Sequence, residues 1–514
     1  MPPQLLPNFC GSFYQTRWPI ASCDQAINVY PETKQLPGSA KAVWLYGTPG
    51  LRNLLTPQQA FGVGPCRGWF SQDGKTWVVV GTKLYMTVGD PTDTTTYIAI
   101  SGVIQNDGFP VSFATNGLAG DQLGIVGGGQ LLVYNIVNGG PLHPVTLPFS
   151  QPVMMVFQDG YGLINQGNSP TFWFSALEDF TSWDALDFVT RSGTSDNCVA
   201  LAVTRDRLFF LGSKTSTLYY DSGDALNPWV PYPGTTTQIG CVAAATVNVY
   251  NDTVRWLAQS PNGQPRVVES KADLSPKTIS TPPIDAICAA CSTLWHAEAM
   301  TYEQNGHTFY LLSLPDSPLE IQTYGFDATE SDLRQAPIWH ARAGIATDVV
   351  SLNSYVGTGA YTQWRGRGVT AVNNVVLMGD YAQGFLYQLD PETYTDNGVP
   401  IRRERIVPYL SNSNQWLFGN GAELGIQAGQ GIQSGQGSDP QVEFQVSRDG
   451  SLTWITRGFA ALGAMGQYLA RAFWTRFGRA RGDRLVFRVI QTDPSPCVWT
   501  GLWVDLEPGS GQLV

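Results

Sequence analysis

TWVVVGTKLYMT (76–87), LGIVGGGQLLVYN (123–135) and RLFFLGSKTSTLYYD (207–221) repeat one pattern. An apolar strand runs into a glycine-bearing turn, and a second strand follows that often ends in Leu-Tyr. Short apolar runs bounded by turn residues read as paired strands. The pattern returns in HTFYLLSLPDSPLEIQTYGFD (307–327) and VVLMGDYAQGFLYQLD (375–390). Two looser copies are VMMVFQDGYGLINQ (153–166) and TVRWLAQSPNGQPRVVESK (253–271). The spacing is irregular but scatters around the ~40–50 residues expected of propeller blades. A lone hairpin cannot bury its apolar face, whereas blades stacked around an axis share a continuous core. Six or seven hairpins therefore predict an all-β chain built on a β-propeller. Separate β-sandwich domains are the alternative that periodicity leaves open.

Working outward, the repeats occupy residues 41–392, with an extended N-terminal segment over 1–40. They end near YQLDPETYTDNGVPIRRERI (387–406), and a C-terminal antiparallel β domain with arginine-rich strands fills 393–514. GIQAGQGIQSGQGSDP (425–440) reads as a mobile loop. Helical periodicity is weak, and its best short candidates lie near 173–187 and 461–473.

Composition agrees with many short strands and turns: 43% hydrophobic, 14% charged, 55 Gly and 34 Pro in 514 residues. That is enough apolar material for a sizeable core. A formal charge of −11 argues against a general nucleic-acid binder, which needs a basic face to neutralise phosphates. Eight scattered cysteines do not form a disulfide framework, and MPPQLLPNFCGSF carries no signal-peptide pattern. No apolar run is long enough to span a bilayer, so stable membrane insertion is not expected. Free thiols in a reducing cytoplasm follow from this reading.

Motifs that suggest chemistry have plainer readings. GWFSQDGKT (68–76) lacks phosphate-loop spacing, and Asp73-Gly74 suits a hairpin turn. Cys288 and Cys291 have redox or metal spacing without a second pair, which favours buried structural thiols. Ser447-Arg448-Asp449-Gly450-Ser451-Leu452-Thr453-Trp454 resembles one Asp-box turn of sialidase-type propellers. It suggests a glycan-binding or glycan-hydrolysing propeller as the alternative function. Glu178, Asp179, Asp184 and Asp187 cluster in SALEDFTSWDALDF (175–188) as a turn and short helix with solvated acids. No catalytic residue, metal ligand or cofactor is called for.

The strongest local anomaly is basic: Arg471, Arg476, Arg479, Arg481, Arg484 and Arg488 crowd one stretch of an acidic chain. All seven lysines lie before residue 278, so this region uses only arginine, whose planar fork suits fixed carboxylate or phosphate contacts. Alternation puts Arg484, Val486 and Arg488 on one strand face, with Leu485, Phe487 and Val489 on the other. The arginine face is then left for water, for a subunit interface with acidic neighbours, or for DNA. The six arginines and the four acids of 178–187 are the interface candidates.

Segments along the whole chain resemble the packaged-DNA stabilisation, or tail-hub (nozzle), proteins of short-tailed bacteriophages. They include LYGTPGL (45–51), PCRGWFSQDGKTWVVVGTKLY (65–85), SALEDFTSWDALDF (175–188) and RLFFLGSKTSTLYYDSG (207–223). STPPIDAI (280–287), YEQNGHTFYLLSLP (302–315), YTDNGVPIRR (394–403) and the final GQGSDPQV to WVDLE stretch continue the resemblance. It implies a non-enzymatic virion tail protein, assembled in the bacterial host cytoplasm as a homohexameric ring. Implied partners are the portal-adaptor (head–tail connector) protein, tail fibres or tailspikes, a needle or plug protein, and double-stranded DNA passing without sequence reading. The ring would continue the DNA channel and help retain packaged DNA.

Overall fold

The computed structural model describes residues 3–18, 22–35, 42–117, 120–191, 193–194, 196–224, 227–351, 354–409 and 415–509. Among these residues, seven sheets of propeller-blade type succeed one another along the chain. Blades 1 to 4 begin with strands Cys66–Gln72, Ser112–Thr115, Pro152–Gln158 and Cys198–Thr204. Blade 5 is built on Thr253–Gln259, blade 6 begins with Glu298–Gln304, and blade 7 begins with Gly366–Val372. Blade 7 is finished by strand Gly50–Asn53 from far upstream, with Leu51 opposite Leu389 and Gly50 opposite Asp390. A strand from before blade 1 thus closes the circle.

The apolar runs are long because each blade is covered on both faces. In blade 1, Trp77 and Val79 pack toward Leu123, Ile125 and Leu132 of blade 2. Their sequence neighbours Val78 and Val80 point the other way, to Leu377 and Leu386 of blade 7. Alternating side chains therefore feed two different cores. A buried apolar wedge fills every junction around the ring, seven in all among the described residues. Turn chemistry matches: Asp73-Gly74, Asp159-Gly160 and Asn305-Gly306 each have both residues at positive φ, the two-residue hairpin geometry whose twist suits antiparallel strands.

The C-terminal domain is a β-sandwich. One sheet runs Val29–Thr33, Val43–Gly47, Val498–Pro508, Trp416–Ile426 and Ala472–Arg481, with Gln4–Leu5 also paired to Val498–Pro508. The facing sheet runs Cys23–Ile27, Arg403–Pro408, Val486–Gln491, Gln441–Ser447 and Ile455–Ala461. Leu45, Phe444, Trp474, Phe477, Phe487 and Trp499 fill the space between. Where the sequence suggested an extended segment over 1–40, the chain forms strands that pair with residues more than 300 positions away. Strand Val43–Gly47, inside the range assigned to the repeats, also belongs to the sandwich. Ile27 pairs with Ala341, so the facing sheet continues into the outer edge of blade 6.

Two helices stand elsewhere than the periodicity placed them, at Pro282–Ala290 and Ala328–Arg334. Prolines at the first two positions start the former. In 175–187 the Asp179 and Asp184 carboxylates accept the backbone N–H groups of Thr181 and Leu186, which draws the chain into turns. Gly463 and Gly466, both at positive φ, break the 461–473 pattern. The Gly/Gln-rich stretch 425–440 was expected to be mobile. Within it the Ile432 N–H donates to the Gly437 carbonyl, and the Gly429 N–H donates to the Leu462 carbonyl outside it.

Charged groups are buried where propeller meets sandwich. The Asp396 carboxylate accepts the N–H of Leu51 at 3.1 Å and faces Arg342, Arg365 and Arg403. Burial outweighs these favourable partners and pushes its carboxyl up to about 6. A raised folded-state value means that this group favours the fold fully only below the ordinary carboxylate range. The contribution is lost as pH rises toward and through about 6. Wild type is thus expected to lose stability between pH 4 and 6.5 relative to Asp396→Asn, as read by urea midpoints across pH. A constant difference between the two would contradict the assignment.

Candidate assembly surfaces and the axial cavity

Around the propeller axis lies a cavity of about 870 Å³, lined from all seven blades. Its charges are already engaged. The Arg67 guanidinium pairs with Asp107 and donates to the Gln105 and Phe109 carbonyls at 2.7 and 2.8 Å. Arg367 pairs with Glu298 and donates to the Gly108 carbonyl at 2.8 Å. The first pair ties blade 1 to the loop that follows it, and the second ties blade 7 to blade 6. The volume is that of a small-molecule cleft.

The six arginines divide into two groups. Arg488, expected on an open face, is mostly buried and held within the subunit. It donates to both oxygens of buried Glu404 at 2.7 and 2.8 Å and lies over the Trp454 ring. Burial opposes its charge, but Glu404 more than offsets this and raises its pKa. Val486 on the same side is buried with Cys23 and Ile406, so that face is covered by neighbouring strands. Arg484 lies outside the strand, in a short 3-10 turn.

Arg471, Arg476, Arg479 and Arg481 gather along strand Ala472–Arg481, an edge of the sandwich. Arg471 forms a two-pronged pair with Glu423 at 2.7 and 2.8 Å, 70% exposed. Arg479 and Arg481 both stack over Trp416, at 5.0 and 5.5 Å from its ring centre. Arg476 is exposed at φ +53 beside a register shift against the neighbouring strand. Phe418 faces Arg479 across the ladder and Phe473 faces Glu423, and both rings are exposed. The sequence reading missed these aromatics, although the alternation in WLFGNG and RAFWTRF carried the signal. Exposed aromatics mixed with arginine are the residue types that dominate protein interfaces.

The acidic candidates lie in the loop before the outermost strand of blade 3. Asp179 is anchored by the Gln122 amide at 2.9 Å and by Thr181. Slight burial raises its carboxyl, but these hydrogen bonds win and lower it. Burial and then the Asp184 charge raise that of Asp187. Glu178 and Asp184 are exposed, as are Leu177, Leu186 and Phe188, while Phe180 plugs the loop into the wedge between blades 2 and 3. The basic strand and the acidic loop are not brought together within one chain.

The Asp-box-like turn joins Gln441–Ser447 to Ile455–Ala461 in the sandwich. Asp449 accepts the Thr453 hydroxyl and the N–H groups of Leu452 and Thr453. These bonds overcome a burial penalty and draw its carboxyl down to about 2. The residue thus serves the turn, and the feature that suggested a glycan-active propeller lies outside the blades. Cys288 is buried in the core beside its helix, and burial raises the thiols of both Cys288 and Cys291.

Comparison with known sequences resolves the family. Residues 24–394 match the bacteriophage P22 Gp10 β-propeller, and residues 402–507 match the bacteriophage P22 Gp10 β-sandwich. The chain belongs to the P22 Gp10 family. It is thus a phage DNA-stabilisation protein by family and a virion component by class. No curated protein matches the sequence. Among solved structures, the WD40 β-propeller domain of Doa1 matches with 11% identity and a TM-score of 0.36, over 66% of this chain and 96% of that one. The N-terminal domain of Nup159 matches with 10% identity and a TM-score of 0.38, over 71% and 99%. Kluyveromyces lactis Hsv2 gives 8% and 0.34, over 68% and 95%. Among the described residues of this Gp10-family chain, no helix is long and apolar enough to cross a membrane.

Proposed function

We propose that this chain is the tail hub of a short-tailed phage: a ring of six copies beneath the portal and its adaptor, with no catalytic turnover. The ring continues the DNA channel, helps retain the packaged genome and anchors tail fibres or spikes. The observation that carries this reading is the match to both domains of the P22 Gp10 family over nearly the whole chain. Two physical features support it. The axial cavity of the propeller has the size of a small-molecule cleft, so in this reading the DNA path runs between subunits. Six copies also carry six times the −11 charge of one chain, a net field that repels phosphates and lets DNA slide without adhering. In the same reading, exposed arginines of 471–484 and the acids of 178–187 contact neighbouring proteins, whereas Arg488 serves the fold.

The test is DNA retention. Phage particles assembled without this chain are expected to fill their heads and then lose the genome to added nuclease, and supplying the chain in trans restores protection. Filled heads that stay nuclease-resistant in its absence would overturn the reading.

A further inference from the structure

Residues 471–488 hold six arginines against one aspartate, in a chain of net charge −11. Arg488 aside, this positive charge decorates the edge strand Ala472–Arg481 and the turn after it. The sandwich meets the propeller through strands at its other end. Thr33 is bonded to Glu330 of the helix beside blade 6, and Gly50–Asn53 closes blade 7. Strand Ala472–Arg481 ends the same sheet at the edge opposite Val29–Thr33. Its outer face presents Phe418 and Phe473 between Arg471, Arg479 and Arg481, with Trp416 beneath two of the guanidinium groups.

Seven blades divide the circle evenly, and the sandwich is attached at blades 6 and 7. Blade 3 stands three and a half blades from their boundary, half way round the ring. Its 175–188 loop carries four acids and no base, with Leu177 63% and Leu186 83% exposed and Phe188 beside them. Acid with exposed aliphatic groups is the complement of arginine with exposed aromatics, in charge and in apolar character. The two surfaces lie on different domains, one on the sandwich edge and the other on blade 3. Two copies placed head to tail bring them together.

We propose that the arginine–aromatic face around strand Ala472–Arg481 docks on the acidic blade 3 loop of a second copy of this chain. The contact is heterologous: each copy offers one surface to each neighbour, which generates a closed ring when the rotation closes. The proposal rests on the ring reading above and names the surfaces that make the ring. It also assigns the exposed guanidiniums to carboxylates of the neighbour rather than to DNA phosphates.

A charge-exchange experiment on the full chain tests it, read by sedimentation velocity at tens of micromolar. Arg479→Glu with Arg481→Glu makes one surface acidic, and Glu178→Arg with Asp184→Arg makes the other basic. All four positions are exposed or partly so, and each variant is checked for wild-type thermal unfolding. Wild type is expected to self-associate, and each variant alone to lose association at least tenfold. Mixing the two, or combining all four changes in one chain, is expected to restore association, because each reversed surface again meets its opposite. Wild-type association that both reversals leave intact would overturn the docking assignment while the ring reading stands. Loss in each variant without recovery on mixing would overturn the pairing of these two surfaces. A wild-type chain that stays monomeric would overturn the docking of these two surfaces in free solution, while the ring reading keeps its own test in the particle.

Discussion

Replacement of Arg405 by methionine is expected to cost about 3–5 kcal/mol of stability, the loss typical when one partner of a buried ion pair is removed. Arg405 is fully buried in the sandwich strand Arg403–Pro408. Its guanidinium donates to the carbonyls of Asn8 and Phe9 at 2.6 Å and of Gln25 at 3.1 Å, and pairs with Asp24 at 2.8 Å. One side chain thus fastens the N-terminal turn and strand Cys23–Ile27 to the sandwich. Methionine keeps much of the volume but leaves those acceptors without donors. Burial already raises the Asp24 carboxyl, and Arg405 is what holds it back. Without Arg405 the carboxyl rises further, so the penalty shrinks as pH falls and Asp24 takes up a proton. Adding Asp24→Asn to the variant should recover part of the loss at neutral pH. The exposed pair Arg205–Asp252 is the control, since surface pairs contribute little. Equal urea midpoints for Arg405→Met and Arg205→Met would contradict this account.

The second large effect is expected at the closing strand. Leu51 is fully buried between blades 6 and 7, against Met378, Tyr387 and Leu389. Leu51→Ala should cost about 2–5 kcal/mol, as for other buried leucine truncations. Gly50 leaves no space for a side chain, because a Cβ there would lie 2.4 Å from the Thr393 carbonyl oxygen and 2.5 Å from that of Thr395. A chain starting at residue 55 loses the outer strand of blade 7 together with five strands and the N-terminal apolar groups of the sandwich. It is expected to lack a cooperative unfolding transition. A truncated chain that unfolds cooperatively with native tryptophan fluorescence would show that the two domains do not depend on this segment.

These effects fall where the sequence was hardest to read. The blade hairpins were legible because their signals are local: apolar runs bounded by Asp-Gly or Asn-Gly turns, with strands closed within one blade. Even the two-sided burial of TWVVV is implied by a run without polar alternation. The N-terminal strands carry no such signal. Their partners lie hundreds of residues away, and CDQAI or VYPET alone does not reveal which sheet will receive it.

Arg488 illustrates the same limit from the other side. Alternation correctly set it apart from Phe487 and Val489, but the face it occupies is closed by Glu404, which lies 84 residues upstream and pairs only across the ladder. Arg479 and Arg481 remain at the surface because their strand is an edge, a property of sheet order rather than of sequence. The SALEDF turn was mistaken for helix because its carboxylates, spaced helix-like, bind the backbone of their own loop.

The central claim, a hub ring surrounding the DNA path, is tested most directly by cryo-electron microscopy of this chain in its native particle, with copies counted around the tail axis. The account predicts six copies beneath the portal and adaptor, propellers arranged around a DNA-wide channel, each sandwich edge seated on the next copy's blade 3. Peripheral copies, with the axial cavity facing outward and no shared channel, would contradict it.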